Sequence, residues 1–491
     1  MKKIIVLGGG AAGWLTALFC KKIYFNCEVQ LIESDKIGIL GAGEGSTPHL
    51  VSFLKFLNID IFDLLTKTKG TIKYGINFEN WNGDNKKYFH GFASFNFANK
   101  FQVKDIFSSD CYDKYLINCI GENLNLDKFT YGGLLVDNKK NDLENQDFSI
   151  HFDAHKIAEY LKKLAITKGV LHKTGDAQSF KQDNSGNITS VVLEDGSNEF
   201  CDFIFDCSGF KRVIIGKLLK SKWIDYQKYL PMKKAVPFFL NQEEEIAPCT
   251  HAIAMKYGWI WKIPLQHRFG AGYIYDSDYI NEDQALREAE EYLGCELHSP
   301  RVISFDAGRF ENVWVKNCMA VGLSAGFTEP LEATSLYLAV QQLKLLAHFK
   351  EYLFNAGEEK KKNFNTIMAN SNDDILGFLY LHYLTKRKDS NFWINFKQNT
   401  TVPEKLKEII DNLKNNNLFS FNFTNDKAYA TFSIESYLAV AYGIGLLDSK
   451  KVTKIEGLLP LTGSYKSNML YVLDNLETHT NFLKNLNANN R

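Results

Sequence analysis

The chain has no run of about 18 uninterrupted apolar residues, so no transmembrane helix is expected. Lys2-Lys3 and the four apolar residues after them begin like a secretory leader. That apolar stretch is too short and ends in three glycines, so no signal peptide is read. Neither charge is in excess: Lys and Arg total 57, as do Asp and Glu. The balance gives no basic field to recruit nucleic acid and no acidic tail. The nine cysteines are odd in number and form no C-x-x-C pair, which argues against a disulfide scaffold, structural zinc or any other metal site. They read as reduced thiols of a cytoplasmic protein, with Cys207 a small core residue. No internal repeat is present, and no second G-x-G-x-x-G follows a strand, so no nicotinamide site is expected.

What is present begins at Ile4-Ile5-Val6-Leu7-Gly8-Gly9-Gly10-Ala11-Ala12-Gly13-Trp14. This reads as a buried parallel strand, a tight turn and a helix from about Ala11 to Lys22. Gly8 lets the turn be tight, Gly10 lets a pyrophosphate approach the backbone, and Gly13 lets helix and strand pack closely. The helix start offers free N–H groups to phosphate. A second strand, Cys27–Ile32, ends in Glu33, an acidic residue at the distance a ribose hydroxyl requires. The stretch therefore predicts dinucleotide binding in an α/β fold.

At 491 residues the chain can hold two or three packed regions. Its aromatic share, 14%, suits an aromatic-lined pocket and equally a Phe- and Tyr-rich core. Three glycines in five residues, in Gly41-Ala42-Gly43-Glu44-Gly45, bring backbone close to something flat or charged. His49–Leu65 has helical periodicity. Thr71–Trp81 alternates as one half-buried strand with Lys73 on its polar face, where a solvated lysine is the plain expectation. Residues 82–145 read as an insertion. Asp153 is placed to cap an amphipathic helix from Phe152 to Leu164. Ile188–Phe205 reads as strands turned at Asp195-Gly196. Asp206-Cys207-Ser208-Gly209 then suits a second dinucleotide contact. Gly258–Pro264 reads as an edge strand with Trp259 and Trp261 on one face. Beyond Thr334 helical segments dominate (334–354, 371–386, 403–414, 433–445, 466–486), with the Glu358–Lys362 charge cluster a solvated turn and the tail from Asn485 frayed. The domains expected are residues 1–345, a dinucleotide-binding domain with an inserted β-sheet substrate subdomain, and 346–491, a mainly helical region covering the substrate site.

Taken together, several motifs resemble the flavin-dependent tryptophan halogenase family. They are Gly8–Trp14, Gly43-Glu44-Gly45-Ser46-Thr47-Pro48, Asp206–Phe210, Trp259-Ile260-Trp261-Lys262-Ile263-Pro264 and Gly326–Ser335. Leu381-His382-Tyr383 and Asp389–Trp393 also fit. The resemblance implies an FAD-binding domain of the hydroxylase and glutathione-reductase type. It implies FAD contacts at Gly8, Gly10, Ala11, Ala12, Gly13, Trp14, Glu33, Gly43, Glu44, Ser46, Thr47, Gly322 and Leu331. Reduced FAD, oxygen and halide would give hypohalous acid, which passes through a tunnel to a lysine beside an electron-rich aromatic. That lysine is Lys73, in a context with Phe78, Asn80 and Trp81 that reverses the solvated reading. A lysine amine can hydrogen-bond hypohalous acid or become N-halogenated. Glu332 is implied as the base that takes the arenium proton, the alternative being a carboxylate complementing a helix start. Thr334 and Ser335 are implied as the halide site, His90 and Phe92 as the substrate sandwich, and Trp259 and Trp261 as the guard against monooxygenation. The partners implied are a separate NAD(P)H-dependent flavin reductase and a second copy in a homodimer.

Three residues or stretches depart from the family pattern. Ala333 and Ser335 stand where Ser and Gly are frequent, which leaves chloride, bromide and iodide all open. Phe432–Gly445 has no Tyr-Tyr pair, so a simpler indole or a phenol is expected ahead of free tryptophan. Competing readings are an aromatic monooxygenase, a flavin-binding protein without chemistry, and a serine hydrolase built on Gly322-Leu323-Ser324-Ala325-Gly326.

Overall fold

The computed structural model describes residues 1–38, 43–92, 148–298, 301–414, 431–432, 434–446 and 478–489. The chain forms two compact units, each assembled from three stretches of sequence. Most of the expected insertion at 82–145, Gly41 and Ala42 of the second glycine loop, and most of 466–486 lie outside the described residues.

The first unit comprises Met1–Thr68, Phe152–Gln227 and Phe305–Asp373. Its six-stranded sheet places Lys3–Leu7 between Phe203–Asp206 and Glu28–Glu33, all parallel. Parallel strands are covered on both faces, which explains why Ile4, Ile5, Val6, Phe203, Ile204 and Phe205 form continuous apolar runs and are fully buried. The first helix is Ala11–Ile23, one residue longer than expected. Asp153 caps the helix Ala154–Thr167 as the sequence indicates, accepting from the His155 and Lys156 amides. The expected helix over His49–Leu65 is two, Pro48–Phe56 and Ile61–Thr68. Asn58 adopts φ 57° between them, and Asp60 Oδ1 accepts from the Phe62 and Asp63 amides to start the second.

The second unit comprises Lys69–His151, Lys228–Ser304 and Asp374–Arg491. Its seven-stranded sheet runs, from one edge to the other, Ile303–Ser304, Lys234–Leu240, Phe269–Tyr275, Gly258–Pro264, Thr250–Ala254, Gly75–Glu79 and Lys87–Gly91. Gly258–Pro264 is thus central, not an edge strand. Proline is tolerated there because Pro264 is the strand's last residue. Thr71–Trp81 is not one strand either: Thr71–Lys73 pairs antiparallel with the strand Ser149–Phe152, and Gly75–Glu79 joins the large sheet. The chain turns off at Gly75, where a Cβ would lie 2.3 Å from the His90 carbonyl oxygen.

Two further corrections fall in the helical region. The charged stretch Glu358–Lys362 opens a 25-residue helix, Glu358–His382, with Glu358 and Glu359 complementing its first turn. The tail is helical over His479–Asn489, with Leu483 and Leu486 buried. Among the described residues no helix is long and apolar enough to cross a membrane. Every described cysteine is a free thiol, and Cys207 is buried, as its apolar strand suggests.

Candidate active site

The glycine turn of the first unit separates three roles. Gly8 has φ 121°, and a Cβ there would lie 2.2 Å from the Cys207 carbonyl oxygen. A Cβ on Gly13 would lie 1.9 Å from the Gly8 oxygen, so this glycine lets the helix close on the turn. A Cβ on Gly10 would meet nothing within 4 Å. Gly10 is also the N-cap of the first helix, with no side-chain cap on the amides that follow. An open cradle over free amides fits a pyrophosphate. Thr47, at the N-cap of Pro48–Phe56, has a buried hydroxyl with no partner among the described residues, a second feature that fits a polar cofactor.

The acidic residues near this turn behave differently. Glu33 Oε1 accepts from Lys162 Nζ at 2.6 Å and lies 2.9 Å from His172 Nε2, and its Oε2 fills the space a Cβ on Gly9 would take. Asp206 spends both oxygens on its own segment: Oδ1 on the Ser208 amide and hydroxyl, Oδ2 on the Ile214 and Ile215 amides. That local capping accounts for the residue without a ligand. Glu44 is held above the ordinary carboxylate range, at about 7, by burial and then by the charge of Asp153. A carboxyl raised in the folded state stabilises it below pH 4.5 and loses that contribution as pH rises through 7. Glu44→Gln is therefore expected to remove on the order of 2 kcal/mol of stability loss between pH 5 and 8, read as a flatter dependence of melting temperature on pH.

Gly322, φ 70°, approaches the first helix so closely that a Cβ would lie 2.9 Å from the Ala12 Cβ. Ser324 is buried, and its hydroxyl donates to the Gly209 carbonyl at 3.4 Å, a packed position unlike an exposed nucleophile. The turn Pro330–Glu332 then buries Leu331 and Glu332. Ala333 follows in the left-handed region, φ 55°, and Thr334 begins the helix Thr334–His348. Ala333 provides no side-chain cap for this helix start. Thr334 is buried with its Oγ1 3.1 Å from Thr328 Oγ1, and Ser335 is half-buried. Glu329, a second fully buried carboxylate three residues before Glu332, had no distinguishing signal in the sequence.

In the second unit Lys73 is wholly buried, which overturns the solvated face its alternating strand suggested. Its Nζ lies 5.1 Å from the centre of the Phe92 ring. His151 lies on the same face of the paired strand. The Thr71 hydroxyl donates to the Pro264 carbonyl at 2.7 Å, so its oxygen accepts from His151 Nδ1 at 2.8 Å, and Nε2 accepts from the Thr250 hydroxyl at 2.9 Å. This arrangement requires a neutral imidazole. Burial, and then the charge of Lys73, push His151 well below the ordinary histidine range. His90 packs instead among rings, 5.4 Å from Phe378 and 6.3 Å from Phe432.

The remaining aromatic motifs form one cluster. Trp81 donates to the Ala252 carbonyl and lies about 6 Å from Tyr383 and Trp393. Trp259 is buried and donates to the Tyr383 hydroxyl at 3.2 Å. Trp261 lies across Gly272 of the next strand, where a Cβ would be 2.1 Å from the indole.

The fold and these two constellations define a flavoprotein class. A family model described as tryptophan halogenase matches residues 3–456, and the chain belongs to that family of flavin-dependent halogenases. It is 30% identical over 486 residues to the tryptophan 6-halogenase SttH of Streptomyces toxytricini, covering 91% of this chain and 90% of that protein. It is 28% identical to the tryptophan 7-halogenase RebH of Lentzea aerocolonigenes, covering 98% of each. Among solved structures it is similar to Xcc4156, a flavin-dependent halogenase from Xanthomonas campestris, with TM-score 0.85, 26% identity, and coverage of 99% of this chain and 98% of that one. The α/β fold with a helical C-terminal region is as the sequence indicated. The chain is an enzyme that halogenates an aromatic compound, and the hydrolase and chemically inert readings fall away.

Proposed function

We propose that this enzyme halogenates an electron-rich indole or phenol by presenting hypohalous acid on Lys73. The observation that carries the reading is an amine wholly removed from solvent, set over an aromatic ring and beside an imidazole bonded in its neutral form. Gly8, Gly10, Ala11, Ala12, Gly13 and Trp14 would hold FAD at its pyrophosphate end, with Glu33, Gly43, Glu44, Ser46, Thr47, Gly322 and Leu331 completing the site. Bound as FADH2, the cofactor supplies hypohalous acid from oxygen and halide. The amides of Thr334 and Ser335 at their uncapped helix start would receive the halide. Lys73 holds the electrophile, Glu332 takes the proton lost by the ring, and Phe92 offers an aromatic wall beside the amine. His90, committed to its ring cluster, supports that wall. Trp259 and Trp261 keep the aromatic from the flavin. A separate NAD(P)H-dependent reductase supplies the reduced flavin, and the enzyme works as a cytoplasmic homodimer.

The test is mass spectrometry of products from purified protein with FAD, a flavin reductase, NADH, oxygen and each halide, against indoles, phenols and tryptophan. A one-halogen mass shift is expected with indoles or phenols. Glu332→Gln, which keeps the shape but cannot take the proton, is expected to lower kcat roughly 10²-fold. Tryptophan turned over faster than every simpler aromatic would sink the substrate assignment. A one-oxygen shift independent of halide would replace the reading with monooxygenation.

A further inference from the structure

The strand that carries Lys73 is gripped by the last described helix. Ile72, immediately before the lysine, donates its N–H to His479 Nε2 at 3.2 Å. A backbone amide can only donate, so Nε2 carries no proton. Nδ1 must then hold the ring's hydrogen, which it gives to the Ile246 carbonyl at 3.0 Å. Thr480, the next residue, accepts the Ile246 N–H through Oγ1 at 2.9 Å. Two adjacent side chains thus take both polar groups of Ile246, and the first also takes Ile72. The far end of the helix is tied to the same segment. Asn487 Nδ2 donates to Gln266 Oε1 at 2.9 Å, Gln266 Nε2 donates to the Gly70 carbonyl at 2.6 Å, and the Gln266 amide donates to the Lys69 carbonyl at 3.0 Å. Leu483 and Leu486 bury the face between these two anchors.

Thr71–Lys73 pairs with the strand Ser149–Phe152, and the Ile72 amide is taken by His479 rather than by a strand partner. A short strand with so few ladder bonds is a weak platform for an amine that must be held in one place. We propose that His479 is a positioning residue for Lys73, and that the helix His479–Asn489 is a clasp on the segment from Lys69 to Ile72. The inference rests on the reading that Lys73 meets the halogenating species. His479 suits the role because it stays neutral: burial pushes it down to about 4, against the pull of the Ile246 carbonyl. The titratable groups on the adjoining strands are Lys73 and His151, and His151 is itself neutral.

The full-length protein carrying His479→Leu, His479→Gln or Thr480→Val tests this. Amide hydrogen exchange over residues 70–76 is measured beside FAD affinity, and kcat is measured with indole and bromide. Leu is close in bulk and cannot hydrogen-bond, whereas a Gln amide can accept from Ile72 and donate to Ile246. His479→Leu is expected to speed local exchange roughly ten- to a hundredfold, as loss of a buried bond does. Its kcat should fall about tenfold with FAD affinity unchanged. His479→Gln should restore both protection and most of kcat, which a purely space-filling role would not do. Thr480→Val should fall between wild type and His479→Leu, and it serves as the informative variant if His479→Leu does not fold. Wild-type exchange and kcat in a folded His479→Leu protein would overturn the proposal, and so would a His479→Gln protein as impaired as Leu. The exchange result stands without turnover, so a wild-type protein that halogenates nothing counts against the lysine reading and not against the clasp.

Discussion

Lys73→Met is expected to lower halogenation roughly 10³-fold while the protein stays folded and binds FAD as before. Methionine keeps the length of the side chain and fills the same volume without an amine. Lys73 has no exposed surface, so the substitution removes no solvation from the folded state. Replacing a buried polar head by an apolar one of similar shape leaves stability within about 1 kcal/mol or raises it. Activity and stability should therefore separate. The measurement is product formation by mass spectrometry beside thermal melting of the same preparation. A folded Lys73→Met enzyme with near-wild-type turnover would remove Lys73 from the chemistry. A sharp drop in melting temperature would instead make the lysine a structural group. Lys73→Arg separates the two further: the guanidinium keeps charge, is never deprotonated and cannot become an N-halo amine, so it should be as inactive as Met.

How much of this was legible in the sequence differs between the two units for a physical reason. The glycine turn could be read because each glycine answers a local constraint, a positive φ or a backbone approach, that no other residue satisfies. The buried parallel strands beside it were legible as continuous apolar runs. Lys73 was legible only through its resemblance to a family motif. By alternation alone it lay on a polar face, and its burial comes from residues 76 to 406 positions away: Ser149 and His151 in the paired strand, and His479 in the last described helix. Nothing local marks His479 as different from any other histidine. The single strand expected over 71–81 failed similarly, since the break at Gly75 answers the His90 carbonyl and not a neighbour in sequence. Trp259 and Trp261 were placed on one face correctly, but their strand was put at an edge, because strand order depends on pairings that periodicity does not encode. Glu33 was expected to face a ribose, and its ties to Lys162 and His172 depend on a helix and a strand more than 120 residues further on.

The second large effect is a contrast between two glycines three residues apart. Gly13→Ala is expected to destabilise the apoprotein by about 3 kcal/mol or more, since its Cβ would lie 1.9 Å from the backbone oxygen of Gly8 and backbone cannot rotate away as a side chain can. Gly10→Ala is expected to do the opposite to stability. Its φ of −71° suits alanine, its Cβ would meet nothing, and a lost glycine restricts the unfolded chain, so the apoprotein should be about 0.5 kcal/mol more stable. If the space over Gly10 is where the FAD pyrophosphate approaches the backbone, the added methyl group stands in its way, and FAD affinity should fall roughly 10²-fold, or about 3 kcal/mol. Melting of the apoprotein and flavin fluorescence titration of each variant give the two readouts independently. A Gly10→Ala protein that melts higher and binds FAD normally would move the pyrophosphate away from this turn. One that melts higher and loses FAD would locate the cofactor by a residue whose only role is to be empty, since nothing in the folded apoprotein requires a glycine at that position.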